Sequence, residues 1–297
     1  MSIQKKKILL FTEFSKKKGK GHFYRLLQIH KSLKKKFDCK IFYNKSLKNI
    51  SFILKKNKHD LIVYDFKKYT KSYFKYNSKY IAFDNKKKFH KNLININPLT
   101  LSNNYFCGPN WYPYPPDFFL KKKKKKNFFY TLLISQGATD AHDNLKKLIK
   151  SIAYIDTKKI TKCIIKTPKK LNLNFKHQNN IIVKQFVNID KISNVLKNID
   201  LAITGCGNLS FELSFFGIPC VFVSSEKNEI KRGKLLQKKG LGKFYSPNKI
   251  KDISIELNKL ANNYNYYQNL MKKKLKIFKK DGLKNIIQLI EKHIHEI

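Results

Sequence analysis

The sequence predicts an α/β protein with two domains, each built on a parallel sheet. Short apolar runs, typical of buried strands, alternate with stretches whose apolar residues have helical spacing. This alternation indicates parallel strands joined by covering helices. Ten such runs occur, which is more than one sheet commonly holds. The 297 residues are enough to bury two cores.

Five strands are predicted in each half of the chain. Those of the first half are residues 7–12, 39–43, 60–65, 79–84 and 92–96. Those of the second half are residues 128–135, 162–167, 180–186, 199–204 and 219–224. Helical spacing predicts helices at residues 22–35, 142–153, 189–198 and 208–216, and a terminal amphipathic helix that includes residues 283–290. The loops that follow the strands then lie at the carboxyl edges of the sheets, where open parallel sheets bind ligands.

A break in regular structure separates the two halves. Residues 113–117 read Pro-Tyr-Pro-Pro-Asp, and proline clusters interrupt helices and strands. Six consecutive lysines follow at residues 121–126, where mutual repulsion favours a solvated loop over a binding patch. We therefore predict an N-terminal Rossmann-like domain over residues 1–120 and a C-terminal Rossmann-like domain, with the terminal helix, over residues 121–297.

The composition is strongly basic, with 64 Lys and Arg against 19 Asp and Glu and a formal net charge of +45. Such a charge is typical of proteins that bind nucleic acid or membrane surfaces. However, only Arg25 and Arg232 are arginines, and sites that recognise phosphate or guanine usually depend on the planar guanidinium. The excess of Lys, Asn, Ile, Phe and Tyr also matches the codons of an AT-rich genome. We therefore expect no nucleic-acid partner, and we expect the positive field to favour anionic small molecules.

Cysteine use and hydropathy indicate a reducing compartment. The five cysteines are odd in number and include no Cys-x-x-Cys pair, so disulfides are not predicted. No run approaches the roughly 20 apolar residues that span a bilayer. The lysine-rich N-terminus precedes a strand rather than a signal-peptide core. We therefore expect a cytoplasmic monomer with at most peripheral membrane contact.

The first predicted strand leads into a glycine-bearing loop, Gly19-x-Gly21-His22-x-x-Arg25, at the start of a predicted helix. A helix start offers unpaired backbone N–H groups and a partial positive charge to an anion. Histidine moves protons near neutral pH. This loop is therefore a candidate site, and the alternative is a tight turn in which His22 caps the helix.

The most specific segment of the second half follows the strand at residues 199–204. This strand ends in two glycines, the second of them Gly207, and a helix then starts at Asn208. The exposed helix start suits a phosphate. Glu212, in the first turns, can accept both hydroxyls of a ribose, and the alternative is that it complements the positive helix end.

Two further segments of the second half also follow predicted strands. Gly137, Thr139 and Asp140 follow residues 128–135, and small residues permit close approach to a ligand. The alternative is that Thr139 or Asp140 caps the next helix. Asn228 follows residues 219–224, where a polar turn is the simpler interpretation.

Together these segments resemble the UDP-2,4-diacetamido-2,4,6-trideoxy-β-L-altropyranose hydrolase family of pseudaminic acid biosynthesis, which is related to the peptidoglycan N-acetylglucosaminyltransferase. The resemblance runs from about residue 7 to residue 245. Its best-matched parts are Gly19-x-Gly21-His22-x-x-Arg25, Gly108-Pro109 followed by Phe118, Gly137-x-Thr139-Asp140, Gly207-Asn208-x-x-x-Glu212-Leu213, Gly217-Ile218-Pro219 and Asn228. The resemblance implies the glycosyltransferase-B architecture, in which two Rossmann-like domains face each other across a cleft. It also implies a UDP-sugar substrate bound by the C-terminal domain.

The resemblance also implies roles for individual residues. His22 is expected to be the general base, Gly207 and Asn208 to lie by the diphosphate, Glu212 to hold the uridine ribose, and Asn228 to lie by the sugar. The remaining residues expected to line the substrate site are Gly19, Gly21, Arg25, Gly137, Thr139 and Asp140.

Three positions depart from the family pattern. Ala138 stands where a second glycine is usual, and Glu229 stands where glutamine is usual. Lys67 stands where the family has a tyrosine, two residues after the strand-ending Asp65. These departures concern the sugar more than the nucleotide.

The resemblance thus implies hydrolysis of a UDP-linked diacetamido sugar, with His22 taking a proton from water at the anomeric carbon. No Asp-x-Asp motif and no His/Cys cluster occurs, so neither a metal nor another cofactor is expected. Glycosyl transfer to an acceptor hydroxyl is the first alternative. The second is a non-catalytic nucleotide- or RNA-binding protein, which the interleaved aromatic and basic residues at 118–130 suggest.

Overall fold

A computed structural model describes most of the chain and divides it into two compact units. The first unit is Met1–Pro115 with Lys280–Ile297, and the second is Pro116–Lys279. The described residues are 5–14, 21–43, 49–66, 68–101, 105–120, 130–137, 140, 142–156, 158–172, 181–187, 192–274, 278 and 281–296.

The described residues contain both strands and helices in alternation. The strands are β1 (Lys7–Thr12), β2 (Asp38–Tyr43), β3 (Leu61–Asp65), β4 (Lys79–Phe83), β5 (Leu93–Ile96), β6 (Tyr130–Ser135), β7 (Ile160–Thr167), β8 (Ile182–Val187), β9 (Leu201–Thr204), β10 (Cys220–Val223) and β11 (Gly242–Tyr245). The helices are α1 (Gly21–Leu33), α2 (Ile50–Lys56), α3 (Asp117–Leu120), α4 (Leu145–Ile149), α5 (Ile192–Leu196), α6 (Asn208–Phe215), α7 (Lys227–Lys238), α8 (Ile250–Asn262), α9 (Tyr264–Lys274) and α10 (Gly282–His295). Within the described ranges, no helix is both long and apolar enough to cross a membrane.

The first unit is a five-stranded parallel sheet in the order β2-β1-β3-β4-β5. Its central strand β3 is buried along its whole length, as expected for a parallel strand covered on both faces. Leu26 and Ile29 of α1 pack on one face, and Leu54 of α2 packs on the other. The unit therefore has a separate apolar core on each side of the sheet.

The register of this sheet brings three strand ends together. Thr12 of β1 lies beside Asp65 of β3, and Asp65 lies beside Phe83 of β4. The residues at the carboxyl ends of these strands are therefore neighbours, although they are far apart in the chain.

The terminal helix α10 packs on the first unit, which corrects its predicted place in the C-terminal domain. Leu283, Ile286 and Ile290 are buried in the same core as α1. Lys79 Nζ donates to the carbonyl oxygen of His293 at 2.6 Å, near the end of the helix. The amphipathic spacing predicts a helix with one apolar face, but it does not specify which sheet that face will cover.

The second unit is a six-stranded parallel sheet in the order β11-β10-β9-β6-β7-β8. Leu132 of β6, Leu201 of β9 and Val221 of β10 lie in one core with Leu257 of α8. Because β9 lies between β6 and β10, the loops that follow these three strands meet at one edge of the sheet.

The predicted fold class of two parallel α/β domains is confirmed, and each of the ten predicted strands overlaps an observed one. The helix predicted at residues 142–153 is instead the short α4 followed by a 3₁₀ segment, Lys150–Tyr154. The strand β11 was not predicted. It is short, begins with a glycine and lies at the sheet edge, so its apolar pattern is weak.

Candidate functional site

The first candidate site is a cluster of four ionisable side chains at the carboxyl edge of the first sheet. His22 and Arg25 lie in the first turns of α1, three residues apart and therefore on one face of the helix. Asp65 is the last residue of β3, and Asp84 follows β4. We call these four residues the ionic cluster.

Arg25 is the centre of the ionic cluster. Its Nε and Nη2 donate to the two oxygens of Asp65 at 2.6 and 2.5 Å, which is a bidentate ion pair. Nη2 also donates to Asp84 Oδ2 at 2.7 Å. The guanidinium lies over the Phe83 ring, with its carbon 5.0 Å from the ring centroid. The side chain is 2% exposed, so Arg25 is a buried structural cation rather than a surface charge.

His22 is held by the same aspartate. Its Nδ1 lies 2.6 Å from Asp65 Oδ1 and 3.3 Å from Arg25 Nη2. An ionised carboxylate can only accept, so the shorter contact places the proton on Nδ1, which donates to Asp65. The other ring nitrogen, Nε2, is then an acceptor, and no described residue forms a hydrogen bond with it. The imidazole is 19% exposed, so it remains accessible to a ligand.

Asp65 is ionised despite complete burial. Burial alone raises the pKa of a carboxyl group, but the charges of Arg25 and His22 and their hydrogen bonds outweigh it, so the pKa of Asp65 lies below its usual range. The charges of Asp65 and Asp84 likewise raise the pKa of Arg25 against the opposing effect of burial. The pair therefore stays charged over the whole physiological range.

One ligand atom each of His22, Asp65 and Asp84 lies within 4.8 Å of the others, which is the arrangement of a small metal site. However, Arg25 Nη2 lies within 2.7 Å of both carboxylates and 3.3 Å from the imidazole. A guanidinium nitrogen thus occupies the position that a cation would take among these atoms.

Tyr69 connects the two strand ends that carry the carboxylates. Its hydroxyl accepts from the backbone N–H of Phe66 at 3.0 Å and donates to the carbonyl of Phe83 at 2.6 Å. Phe66 follows Asp65, and Phe83 precedes Asp84. Burial, followed by the nearby charge of Asp65, raises the pKa of Tyr69 well above its usual value, so the phenol stays neutral. Lys67, which stands at the family's tyrosine position, lies outside the described residues.

The second candidate site is a glycine loop in the second unit, residues 205–207, between β9 and α6. Gly207 is the N-cap of α6 in an extended conformation, and Asn208 is the first helical residue. The first N–H groups of a helix have no intrahelical acceptor and suit an anion. Glu212 lies half-buried one turn further along α6. The structure thus brings the predicted Gly207, Asn208 and Glu212 together at one helix start.

Two side chains of α7 hold this glycine loop in place. Glu229 Oε2 accepts from the backbone N–H of Cys206 at 3.2 Å. Arg232 Nη1 donates to the carbonyl of Cys206 at 2.7 Å. A Cβ at Gly205 or Gly207 would lie 3.3 or 3.2 Å from the Glu229 carboxylate, so the glycines permit this close packing.

The loop after β6 lies near the same sheet edge. Gly137 has a φ of 77°, which favours glycine, and its carbonyl accepts from Lys166 Nζ at 3.0 Å. Asp140 accepts from the backbone N–H groups of Asn144 and Leu145 at 2.9 and 3.1 Å. In the structure Asp140 therefore caps the start of α4, and its contact with substrate stays a prediction.

Some of the remaining predicted site residues lie outside the described part of the chain, and others lie at helix starts. Gly19 and Thr139, with Ala138, lie outside the described residues. Gly21 is the first residue of α1. Asn228 is exposed in the first turn of α7.

Part of the segment that suggested RNA binding is not available for stacking. Phe118 is 1% exposed and packs on Phe216 at a ring distance of 5.1 Å. Tyr130 starts the buried strand β6 and is 7% exposed. Residues 121–129 lie outside the described part of the chain.

Sequence reasoning assigned no role to Asp65, Asp84 or Tyr69. Asp65 and Asp84 both end predicted strands of a parallel sheet, and the rule that placed Gly19–Arg25 at the carboxyl edge applies equally to them. The sequence signal was therefore present for the two aspartates. Tyr69 lies in an irregular loop, where no periodicity indicates that its hydroxyl is buried.

Solved structures similar to this chain share its fold over nearly their whole length. MurG of Acinetobacter baumannii has a TM-score of 0.63 and 14% identity, with 97% of this chain and 99% of that chain covered. The spinosyn forosaminyltransferase SpnP has a TM-score of 0.65 and 13% identity, covering 97% and 99%. The calicheamicin glycosyltransferase CalG4 has a TM-score of 0.63 and 14% identity, covering 99% and 100%. At these identities the likeness shows the fold alone, which is the glycosyltransferase-B fold.

The sequence comparison is more specific in the second half of the chain. No curated protein matches the sequence. Residues 131–289 match the model of the glycosyltransferase family 28 C-terminal domain. This match includes the glycine loop, α6 and α7, and it spans more than half of the residues. The chain therefore belongs to the family that the glycosyltransferase family 28 C-terminal domain defines.

Proposed function

We propose that this protein is a glycosyltransferase that displaces UDP from a UDP-linked sugar with an acceptor hydroxyl, using His22 as the general base. The observation that carries the proposal is the 2.6 Å contact between His22 Nδ1 and the buried Asp65. It fixes the tautomer in which Nε2 is free to take a proton, and it places a negative charge beside the imidazolium that forms. An imidazole oriented by a buried carboxylate is a recurrent general base.

The proposed step balances as a single displacement. The acceptor oxygen forms a bond to the anomeric carbon while its proton moves to His22 Nε2. The bond between the anomeric carbon and the UDP oxygen breaks, and its electron pair leaves with UDP. This attack from the opposite side inverts the anomeric centre. A general base contributes roughly 10²–10⁴-fold, so the leaving group must also be stabilised.

The glycine loop is the proposed site for that leaving group. The N–H groups at the start of α6 can receive a diphosphate, and the helix dipole favours the negative charge that develops. Glu212, one turn along α6, is proposed to bind the ribose hydroxyls. The family 28 match includes all of these residues and supports a nucleotide-sugar donor.

Hydrolysis is the second candidate, and a specific observation favours it. The motifs from Gly19 to Asn228 resemble the UDP-diacetamido-sugar hydrolases, in which water replaces the acceptor. The ionic cluster serves either nucleophile because both present an O–H to Nε2. The family match favours transfer, whereas the motif resemblance favours hydrolysis.

The decisive experiment separates these two outcomes. Purified protein is incubated with a panel of UDP-linked sugars that includes diacetamido sugars, with and without an added pool of hydroxyl acceptors. UDP and sugar products are followed by NMR. A transferase releases UDP only when an acceptor is present, whereas a hydrolase releases UDP and free sugar at the same rate without one. If no UDP is released under either condition, both functions are refuted.

A His22→Gln variant tests the role of the base in the same assay. It removes the proton acceptor at Nε2 and leaves the glycine loop unchanged. We expect turnover to fall roughly 10²–10⁴-fold, with the Kd for UDP unchanged by calorimetry. Full turnover in this variant would show that His22 is not the general base.

A further inference from the structure

The ionic cluster has one carboxylate more than its arginine can balance. At neutral pH, Asp65 and Asp84 each carry one negative charge and Arg25 carries one positive charge. The cluster therefore has a net charge of −1 when His22 is neutral and zero when His22 is protonated. In a largely buried cluster an unbalanced charge is costly, so the second carboxylate can balance the charge of a proton that His22 takes up during the reaction.

Asp84 is the member of the cluster whose position has a conformational cost. Its φ is 55°, in the left-handed region that residues with a side chain seldom adopt. Its backbone N–H donates to the carbonyl of Ile96 at 2.8 Å, which fixes the turn after β4. Its carboxylate lies against Arg25 Nη2 at 2.7 Å and is 23% exposed.

We propose that Asp84 is a positioning residue for the proposed reaction, because it acts through Arg25 to supply the charge that balances protonated His22. This inference rests on the proposed role of His22 as the base. Without Asp84, the guanidinium would neutralise Asp65 alone, and the imidazolium would form beside a pair with no net charge. With Asp84, Arg25 is shared between two carboxylates, and the negative charge of Asp65 remains available to His22.

The charged groups that hydrogen-bond to one another in this cluster come from three elements of the described structure. Asp65 comes from the end of β3, Arg25 from α1, and Asp84 from the turn after β4. The phenol of Tyr69 lies near both carboxylates and stays neutral, because burial and the charge of Asp65 raise its pKa. Among these groups, Asp84 is the carboxylate that does not contact the imidazole through a hydrogen bond, so its effect on His22 is electrostatic.

The test is an Asp84→Asn variant, in which the charge is removed and the shape is kept. Asparagine tolerates the left-handed region as well as aspartate does, so the turn is expected to fold. Asp60→Asn is the matched control. Asp60, like Asp84, pairs with a basic side chain, that of Lys6 at 3.3 Å. It precedes β3 and therefore lies at the other end of that strand.

The first readout is independent of turnover. The pH at which the His22 ring takes up a proton is followed by NMR of the imidazole, with His22→Gln used to assign the signal. An opposite charge within about 4–6 Å typically shifts such an equilibrium by one unit or more. We therefore expect protonation about one pH unit lower in Asp84→Asn than in the unmodified chain, and no change in Asp60→Asn. An unchanged titration in Asp84→Asn would overturn the inference, even if the protein is an active enzyme.

The second readout is the rate profile of the reaction. We expect kcat of Asp84→Asn to fall about tenfold at neutral pH with KM unchanged, and the acid limb of the profile to move to lower pH. A purely structural role would lower the rate at every pH and leave the limb in place, which would also overturn the inference. A shifted titration in a protein without UDP-sugar turnover would refute the proposed function and leave only the charge coupling between Asp84 and His22.

Discussion

The two candidate sites differ in which part of the polypeptide forms them, side chains in the first unit and backbone in the second. In the first unit, four side chains hold one another at 2.5–2.7 Å, and the backbone only carries them to a common sheet edge. In the second unit, the backbone of a glycine loop is the proposed binding surface, and Glu229 and Arg232 hold that loop from α7. Proton transfer needs a titratable group with a fixed orientation, whereas a diphosphate needs only well-placed N–H donors. The comparison therefore predicts that side-chain charge matters most in the first unit and backbone shape in the second.

The strongest test of this comparison is Asp65→Asn, which removes the charge that the first unit buries most deeply. Asp65→Asn breaks the bidentate ion pair of a guanidinium that is 2% exposed and leaves Asp84 as its carboxylate partner in the cluster. Removing one partner of a buried ion pair typically costs about 3–5 kcal/mol. We expect a loss of this size in the free energy of unfolding of the first unit. Trp111, the single tryptophan of the chain, lies in this unit and packs on Phe106 at 4.9 Å. Its fluorescence during urea unfolding measures the loss.

Asp60→Asn again provides the control for that measurement. The Lys6–Asp60 pair is partly exposed, and such pairs contribute at most about 1 kcal/mol. Equal losses in the free energy of unfolding of the two variants would show that the ionic cluster stabilises the first unit no more than a partly exposed ion pair does.

The next test concerns backbone shape in the second unit, through Gly233→Ala. Gly233 lies on α7 one residue after Arg232, and a Cβ there would lie 2.2 Å from the Phe244 ring and 2.8 Å from Cys206 Sγ. Overpacking of this kind typically costs about 1–3 kcal/mol. We expect amide hydrogen exchange to quicken in peptides of the second unit, and UDP to bind more weakly, because Cys206 belongs to the glycine loop.

Lys234→Ala is the neighbouring control on the same helix. Lys234 is exposed, so its removal is expected to change stability by no more than about 0.5 kcal/mol. Normal UDP affinity in Gly233→Ala, despite faster exchange, would mean that the glycine loop does not need its present shape to bind UDP.

The two regions also differ in how far the sequence predicts them. The glycine loop can be predicted from neighbouring residues, because Gly207, Asn208 and Glu212 are close in the chain and the helix start has a sequence signature. The ionic cluster cannot be predicted from neighbouring residues, since Asp65 and Asp84 lie 40 and 59 residues from Arg25 in the chain. Their meeting depends on the strand order β1-β3-β4, and sequence patterns predict strands better than they predict which strands pair.

Tertiary contacts account for the remaining differences. The stripe of Leu283, Ile286 and Ile290 predicts α10, but only packing shows that it covers the first sheet. Asp140 is equally suited by sequence to a helix cap and to a ligand. The hydrogen bonds to Asn144 and Leu145 show that it caps, and its contact with substrate stays a prediction. A motif therefore predicts which chemistry is possible at a position, while the neighbours decide which of the possibilities is used.

A smaller effect, in acid, tests whether the charge of Asp65 stabilises the first unit. The folded state holds the pKa of Asp65 below its usual value, which is about 3.9 in an unfolded chain. As the pH falls, the unfolded state therefore binds this proton first. The stabilisation is complete above about pH 5 and is lost as the pH falls through the lower folded value. Trp111 fluorescence during acid titration should show this loss in the unmodified chain and a weaker pH dependence in Asp65→Asn. Identical pH dependence in both would contradict the assignment.

The smallest expected effect concerns the negative charge that contacts the glycine loop. The carboxylate of Glu229 contacts the Cys206 N–H, so it places a negative charge beside the proposed diphosphate site. Glu229→Gln keeps an oxygen that can accept this hydrogen bond and removes the repulsion. We expect UDP to bind about two- to fivefold more tightly at low salt, and the gain to shrink as salt screens the charges. Calorimetry at two salt concentrations measures it, with Glu226→Gln as the control, since Glu226 lies 3.5 Å from His142 instead of on the loop. Weaker binding of UDP to Glu229→Gln would show that the negative charge is needed at this position. The second unit would then depend on side-chain charge as the first unit does, and the contrast between the two sites would not hold here.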